Sequence, residues 1–236
     1  MITAHLIGRL GNAMFQIAAV HVLAKENNDE YAFNLRAFGR YKDNIFKKLK
    51  DLDENWKERV CYEYAGSDYK PIQYKRDMAI IGYFQSDKYF SKYRDEIIDL
   101  FNIPKGRILN SVSVHVRRGD YLAHQDRHLC PTMYYYNRAL AYVDARASIE
   151  KIYVTSDDIP WCKENFTDER VSFIDWEDYD AIVLMSQCEH NIIANSSFSW
   201  WGSYLNQNEE KIVISPNYWI KGVITPDIFR DDMILL

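Results

Sequence analysis

The chain has 236 residues and a formal net charge of -5, with 47% hydrophobic and 27% charged residues. That is an ordinary globular composition with enough apolar material for one or two packed domains. It excludes a general basic field for nucleic acid, so an anionic ligand requires a local cluster of cations and backbone amides. Cys61, Cys130, Cys162 and Cys188 form no CxxC pair, so neither a zinc site nor a secreted disulfide framework is expected. The opening MITAHLIGRLGN lacks a signal-peptide pattern, and no apolar run spans a bilayer, so a cytoplasmic, reduced setting is expected. Aromatics make up 15% of the chain, and most are assigned to packing rather than to sugar platforms.

In chain order, residues 3–7 read as a strand entering the turn Gly8-Arg9-Leu10-Gly11-Asn12. A helix follows over residues 13–25, with Phe15, Ala18, Ala19 and Val22 at helical spacing. Residues 31–35 read as a second strand. Residues 36–80 show no dominant period, 88–102 reads as a helix, and Pro104 with Gly106 breaks it. A domain boundary is placed there, giving units 1–106 and 107–236.

The second half alternates. Strands are expected over 111–116, 151–155, 171–174, 191–194 and 211–215, with helices over 131–146, 179–188 and from Asn195-Ser196-Ser197 through Leu205. Alternation of this kind predicts a parallel α/β sheet, in which ligands bind at the carboxyl ends of strands. The segments GRLGN, HVRRGDY and NSSFSWW all fall at such ends.

The chemistry of these segments suits an anion. Glycines in the first let the backbone turn tightly, and the following helix start offers N–H groups. Arg9 adds charge, and Asn12 both donates and accepts; the plain alternative is a tight turn with an asparagine cap. Arg117 and Arg118 follow a strand expected to be buried, where a cation needs an anion, and a diphosphate fits a guanidinium fork. One of the pair has Asp120 as an alternative partner. His115 either touches a ligand, orients a neighbour or is structural. Asn195, Ser196 and Ser197 form either a second anion cradle or an N-cap with Trp200 and Trp201 packed below. Asp157 and Asp158 read as a nucleoside contact or a helix cap, and they lack the spacing of an Asp-x-Asp metal loop. An Arg-Gly-Asp adhesion reading is set aside, because the tripeptide ends a core strand.

The blocks Gly8-Arg9-Leu10-Gly11-Asn12-Ala13-Met14-Phe15-Gln16, Gly82-Tyr83-Phe84-Gln85-Ser86, His115-Val116-Arg117-Arg118-Gly119-Asp120-Tyr121, Ser156-Asp157-Asp158 and Asn195-Ser196-Ser197-Phe198-Ser199-Trp200-Trp201 together resemble, in order, the α-1,2-fucosyltransferases of glycosyltransferase family eleven. The resemblance covers nearly the whole chain, although Ala13 stands where the family has Gln and the first half is short. It implies a GT-B-like α/β fold, two Rossmann-like domains with mostly parallel sheets facing a cleft. The first domain lies on the acceptor side and the second binds GDP-fucose. It implies an inverting transfer of fucose to the 2-hydroxyl of a galactose-containing acceptor, with arginine rather than metal at the diphosphate and no cofactor.

The same likeness points to Arg9, Gly11, Asn12, Arg117, Arg118, Asp157, Ser196, Ser197 and Phe198 as donor contacts. Arg117, His115 and Asp120 are the catalytic candidates. Peripheral association with a membrane face fits an enzyme of glycan biosynthesis. The competing expectations are a transferase using another nucleotide sugar and a non-catalytic GDP-sugar- or glycan-binding module.

Overall fold

The computed structural model describes residues 1–236, Pro226 by its main chain only. The chain divides into two compact units, Met1–Ile103 with Pro226–Arg230, and Pro104–Thr225 with Asp231–Leu236.

In the first unit, strands β1 (Ile2–Ala4), β2 (Val60–Glu63) and β3 (Met78–Ile81) form a parallel sheet in the order β1-β3-β2. Helix α1 (Leu10–Glu26) begins three residues before the apolar spacing suggested. Ala13 is wholly buried in it, so position 13 faces packed core. The strand expected over 31–35 is reduced to isolated bridges, Ile2 to Tyr31 and Phe33 to Asp51. The Thr3 hydroxyl donates to the Ala32 carbonyl at 2.6 Å, so a side chain shares the role of a ladder. The helix expected over 88–102 is two 3-10 turns followed by α2 (Arg94–Leu100). Phe90, with φ -148°, interrupts it, and Asn102 in the left-handed region (φ 51°) ends it. Near the other terminus, Asp227 accepts from the Tyr69 backbone N–H at 2.5 Å and pairs with Lys88, tying its segment to this unit.

The second unit contains six parallel strands: β4 (Ile108–Val116), β5 (Lys151–Ser156), β6 (Val171–Ile174), β7 (Cys188–Ile192), β8 (Val213–Ser215) and β9 (Met233–Leu235). Their order is β6-β5-β4-β7-β8-β9. The chain therefore winds one way from β4 and then returns to wind the other way from β7, which is the doubly wound, Rossmann-like order. Helices α3 (Met133–Asp144), α4 (Ile159–Asn165), α5 (Asp178–Gln187) and α6 (Ser197–Leu205) connect the first five strands. The core is built on Val112, Val114, Val116, Ile152, Val154, Ile192 and Ile214, with Tyr136 and Ala139 of α3 packed against them.

Strand β7 begins three residues before its expected limit because α5 passes directly into it at Cys188, and β8 is shorter than expected, Val213–Ser215. Among the described residues no helix is long and apolar enough to cross a membrane.

Candidate active site

In the second unit the winding reverses between β4 and β7. That is the switch point at which doubly wound sheets bind ligands. Arg117 and Arg118 leave β4 there. The Asn195-Ser196-Ser197 turn leaves β7 on one side, and Asp157-Asp158 leaves β5 on the other. Parallel pairing sets His115 opposite Thr155 and Val116 opposite Ser156. Continued past the strand ends, the same register brings Arg117 level with Asp157 and Arg118 level with Asp158.

The side chains follow that register. Asp157 Oδ2 lies 2.7 Å from Arg117 Nη1, and Asp157 Oδ1 accepts the Arg118 backbone N–H at 2.9 Å. Arg117 Nη2 also donates to Asp120. Arg118 Nε donates to Asp158 Oδ2 at 3.0 Å, and its guanidinium lies 4.0 Å from the centre of the Trp161 ring. Asp158 Oδ1 meanwhile caps α4 by accepting from Trp161 N at 3.2 Å. The anions that these arginines needed at the end of a buried strand are thus three aspartates, Asp120, Asp157 and Asp158. Both arginines are largely buried, at 13% and 18% exposure. An incoming diphosphate therefore meets cations that already have partners.

His115 is buried, with its ring 5.5 Å from that of Phe198. Burial, with the Arg117 charge adding to it, pushes the ring pKa down to about 3. The imidazole is neutral at physiological pH and a weak proton acceptor. It acts here as a wall linking the β4 and α6 sides of the switch point. Tyr121 closes that gap from above. Burial lifts its phenol to about 12, and its O–H donates to the Asn195 carbonyl at 3.0 Å. Its ring stacks on His128 at 4.3 Å and lies 5.1 Å from the Arg117 guanidinium.

Asn195 is almost wholly buried, and its Nδ2 donates to the carbonyls of Leu129 and Trp219 at 3.0 and 3.1 Å. It pins two loops to the end of β7. Ser196 is the N-cap of α6 with no side-chain cap bond, and Ser197 and Phe198 begin the helix half-buried. The Ser199 hydroxyl is turned inward onto the Ala194 and Ser196 carbonyls, and Trp200 and Trp201 are core.

The first unit builds a different turn. Gly8 has φ 83°, and a Cβ there would overlap Asn12. Gln16, fully buried, accepts from Ile7 N at 2.9 Å and donates to Ile7 O at 3.0 Å. Asn12 Oδ1 accepts from Gln85 Nε2 at 2.8 Å, so the blocks after β1 and β3 are physically joined. Phe84 takes a left-handed φ of 50°, a strained conformation for an aromatic residue. Arg9, exposed, is the N-cap of α1, and Gly11 lies buried in the first turn.

Tyr121 and Gln85 lie inside the blocks read from the sequence without a role of their own there, and Asn195, expected in an anion cradle or cap, spends its amide on the Leu129 and Trp219 carbonyls while Ser196 takes the N-cap position. Trp161 had no signal, since α4 has only seven residues and opens with Ile159-Pro160.

The model of the family described as Glycosyl transferase family 11 matches residues 1–232. The chain belongs to glycosyl transferase family 11. As a family 11 glycosyltransferase, it is an enzyme that transfers a sugar.

An alpha-1,2-colitosyltransferase of Escherichia coli is 30% identical, covering 94% of this chain and 93% of its own length. The O-antigen biosynthesis glycosyltransferase WbnK of Escherichia coli is also 30% identical, with 92% and 94% covered. Galactoside alpha-(1,2)-fucosyltransferase 2 of Bos taurus is 26% identical over all of this chain and 77% of its own. Among solved structures, POFUT1 in complex with GDP-fucose matches with a TM-score of 0.50 at 10% identity, covering 88% of this chain and 92% of that one. That likeness places the two parallel-sheet α/β units in the GT-B-like fold class.

Proposed function

We propose that this family 11 enzyme transfers L-fucose from GDP-fucose to the 2-hydroxyl of a galactoside, with inversion and with arginine in place of a metal at the diphosphate. The observation that carries the reading is Arg117 at the switch point of the doubly wound unit, held by Asp157 and Asp120. The names of the relatives support the sugar and the linkage, since they include α-1,2-fucosyl and α-1,2-colitosyl transferases.

The acceptor hydroxyl attacks the anomeric carbon as the bond to the β-phosphate oxygen breaks, and the acceptor proton leaves to a base. Negative charge grows on the departing diphosphate, so a guanidinium aimed there binds the transition state more tightly than the ground state. Guanidinium carries five N–H donors, so Arg117 can reach phosphate oxygen while still anchored on Asp157. Arg118 supports the loop from its seat on Asp158 and Trp161. Ser196, Ser197 and Phe198 present the start of α6 to the phosphates. Asp157 and Asp158 are both committed to arginines, which supports charge supplied by guanidinium rather than by a carboxylate-bound cation. For the first unit, taken by itself, Arg9, Gly11 and Asn12 carry the expectation of donor contact.

A second reading is colitosyl transfer, favoured by the colitosyltransferase likeness. Colitose is fucose without its 3-hydroxyl, so the two donors differ in a single polar group. Initial rates with GDP-fucose, GDP-colitose, GDP-mannose and UDP-sugars, on a panel of β-galactosides with and without chelator, test both. Turnover of GDP-fucose to a 2-linked product, insensitive to chelator, is the expected result. Turnover of GDP-colitose alone overturns the donor assignment, and loss of activity on chelation overturns the metal-free one.

A further inference from the structure

We infer that Asp157 is the positioning residue that sets Arg117 for the donor, and that residue 119 is glycine to make room for it. The inference rests on the reading of Arg117 as the diphosphate clamp.

The carboxylate engages two consecutive residues of the neighbouring strand's loop through different atoms. Oδ1 takes the backbone N–H of Arg118, and Oδ2 takes the guanidinium of Arg117. One side chain thereby fixes both the path of the loop and the direction of the cation. Neither bond is a chance of surface flexibility, because the β4–β5 register places the residues side by side and Arg117 is only 13% exposed. A cation aimed before the charge develops need not reorganise during the reaction.

Gly119 completes the arrangement. A Cβ at this position would overlap Asp157 Oδ2 and lie 3.0 Å from its Cγ, and the three atoms nearest that Cβ all belong to Asp157. The Asp157 Cβ, which an alanine would retain, is at 3.6 Å, an ordinary contact. Gly119 is not among the glycines with a left-handed φ, so its backbone does not itself require glycine. The demand for glycine therefore comes from the carboxylate next door.

This gives a coupling that other roles of Asp157 do not produce. The test compares the full chain with Asp157→Ala, Gly119→Ala, the double variant and Asp157→Asn. GDP affinity is measured by calorimetry, and kcat and donor KM with GDP-fucose. Each single alanine variant is expected to weaken GDP binding about tenfold. The double variant is expected to match Asp157→Ala within about twofold, because the clash disappears with the carboxylate. Asp157→Asn retains an acceptor for Arg118 N–H and loses the charge facing Arg117. It is expected to weaken GDP binding and to lower kcat about three- to tenfold, with donor KM changed less than about threefold.

Additive losses in the double variant overturn the inference. So does an Asp157→Asn protein with wild-type GDP affinity, which also decides the matter if Asp157→Ala does not fold. Arg117→Ala is measured alongside. Wild-type GDP binding by that variant overturns the donor-site reading itself. Loss of binding there, with wild-type binding by Asp157→Asn and Gly119→Ala, overturns only the role of Asp157.

Discussion

Two glycine turns at strand ends, one in each unit, are held by opposite chemistry. The Gly8 turn is bracketed by neutral amides: Gln16 binds both polar groups of Ile7, and Gln85 holds Asn12 beneath the glycine. The Gly119 turn is bracketed by ions, with Asp120 and Asp157 on Arg117 and Asp158 on Arg118. An amide bracket is indifferent to salt and offers an incoming anion nothing to exchange. A guanidinium between carboxylates holds its shape and can still trade one anion for another, since carboxylate and phosphate fit the same fork. The first turn is thus built for rigidity and the second for exchangeable charge.

The largest effect that tests this division is Arg117→Ala. Loss of the charge at the departing diphosphate should lower kcat/KM for GDP-fucose about 10²–10³-fold, the range for removing one preorganised donor. Wild-type turnover would remove the exchangeable-charge role. In the first turn the expected loss is of stability. Gln16→Leu strands the N–H and C=O of Ile7, each worth about 1–3 kcal/mol when buried, and less here because Ile7 is half-buried. A decrease of about 2 kcal/mol in urea unfolding, equal at low and high salt, is expected; a clear salt dependence would mean that charges hold this turn too.

How much of this was legible in the sequence follows the same line. The β-branched run Val112, Val114, Val116 announced a buried strand, and the arginines after it announced a need for anions. The residues supplying those anions were visible, but their pairing was not. Asp157 stands forty residues after Arg117, and only the parallel register of β4 and β5 sets them side by side. Strands β2 and β3 carry no periodic signal because they have four residues each, too few to establish a period. The expected strand over 31–35 has the β-formers Tyr31 and Phe33, yet it meets β1 through a single bridge and the Thr3 hydroxyl. The amides of Gln16 and Gln85 sat in recognisable blocks, but an amide declares no partner until the fold brings one.

Acid acts on the buried histidines, with an effect of intermediate size. Burial lowers the pKa of His21, His115, His128 and His190, with His115 at about 3. In the unfolded chain these rings protonate near the ordinary 6.5. Between those values the unfolded state binds more protons, so the folded state loses stability as pH falls. For His115 the stabilisation is complete above pH 6.5 and is progressively lost towards 3. His115 alone contributes at most about 1.4 kcal/mol per pH unit. Unfolding free energies measured across this range should fall with acid, and His115→Gln should flatten the slope. An unchanged slope in that variant would mean that His115 titrates normally in the folded chain.

The smallest expected effect separates two roles for Asp120. It is paired with Arg117, yet 42% exposed, so the ion pair itself contributes about 0–1 kcal/mol. If Arg117 grips the leaving diphosphate, a carboxylate bonded to that guanidinium lies on the leaving-group side of the sugar. Inversion requires the acceptor to be deprotonated on the opposite face. Asp120 is then a stand-in anion that yields its place to phosphate, and the base lies elsewhere. Asp120→Asn should bind GDP about two- to fivefold more tightly, because the ligand no longer competes with a charge for Arg117. Its kcat should stay within about threefold of wild type. A large fall in kcat with unchanged GDP affinity would instead put Asp120 on the attacking face, and would move the diphosphate away from the Arg117 end that faces it.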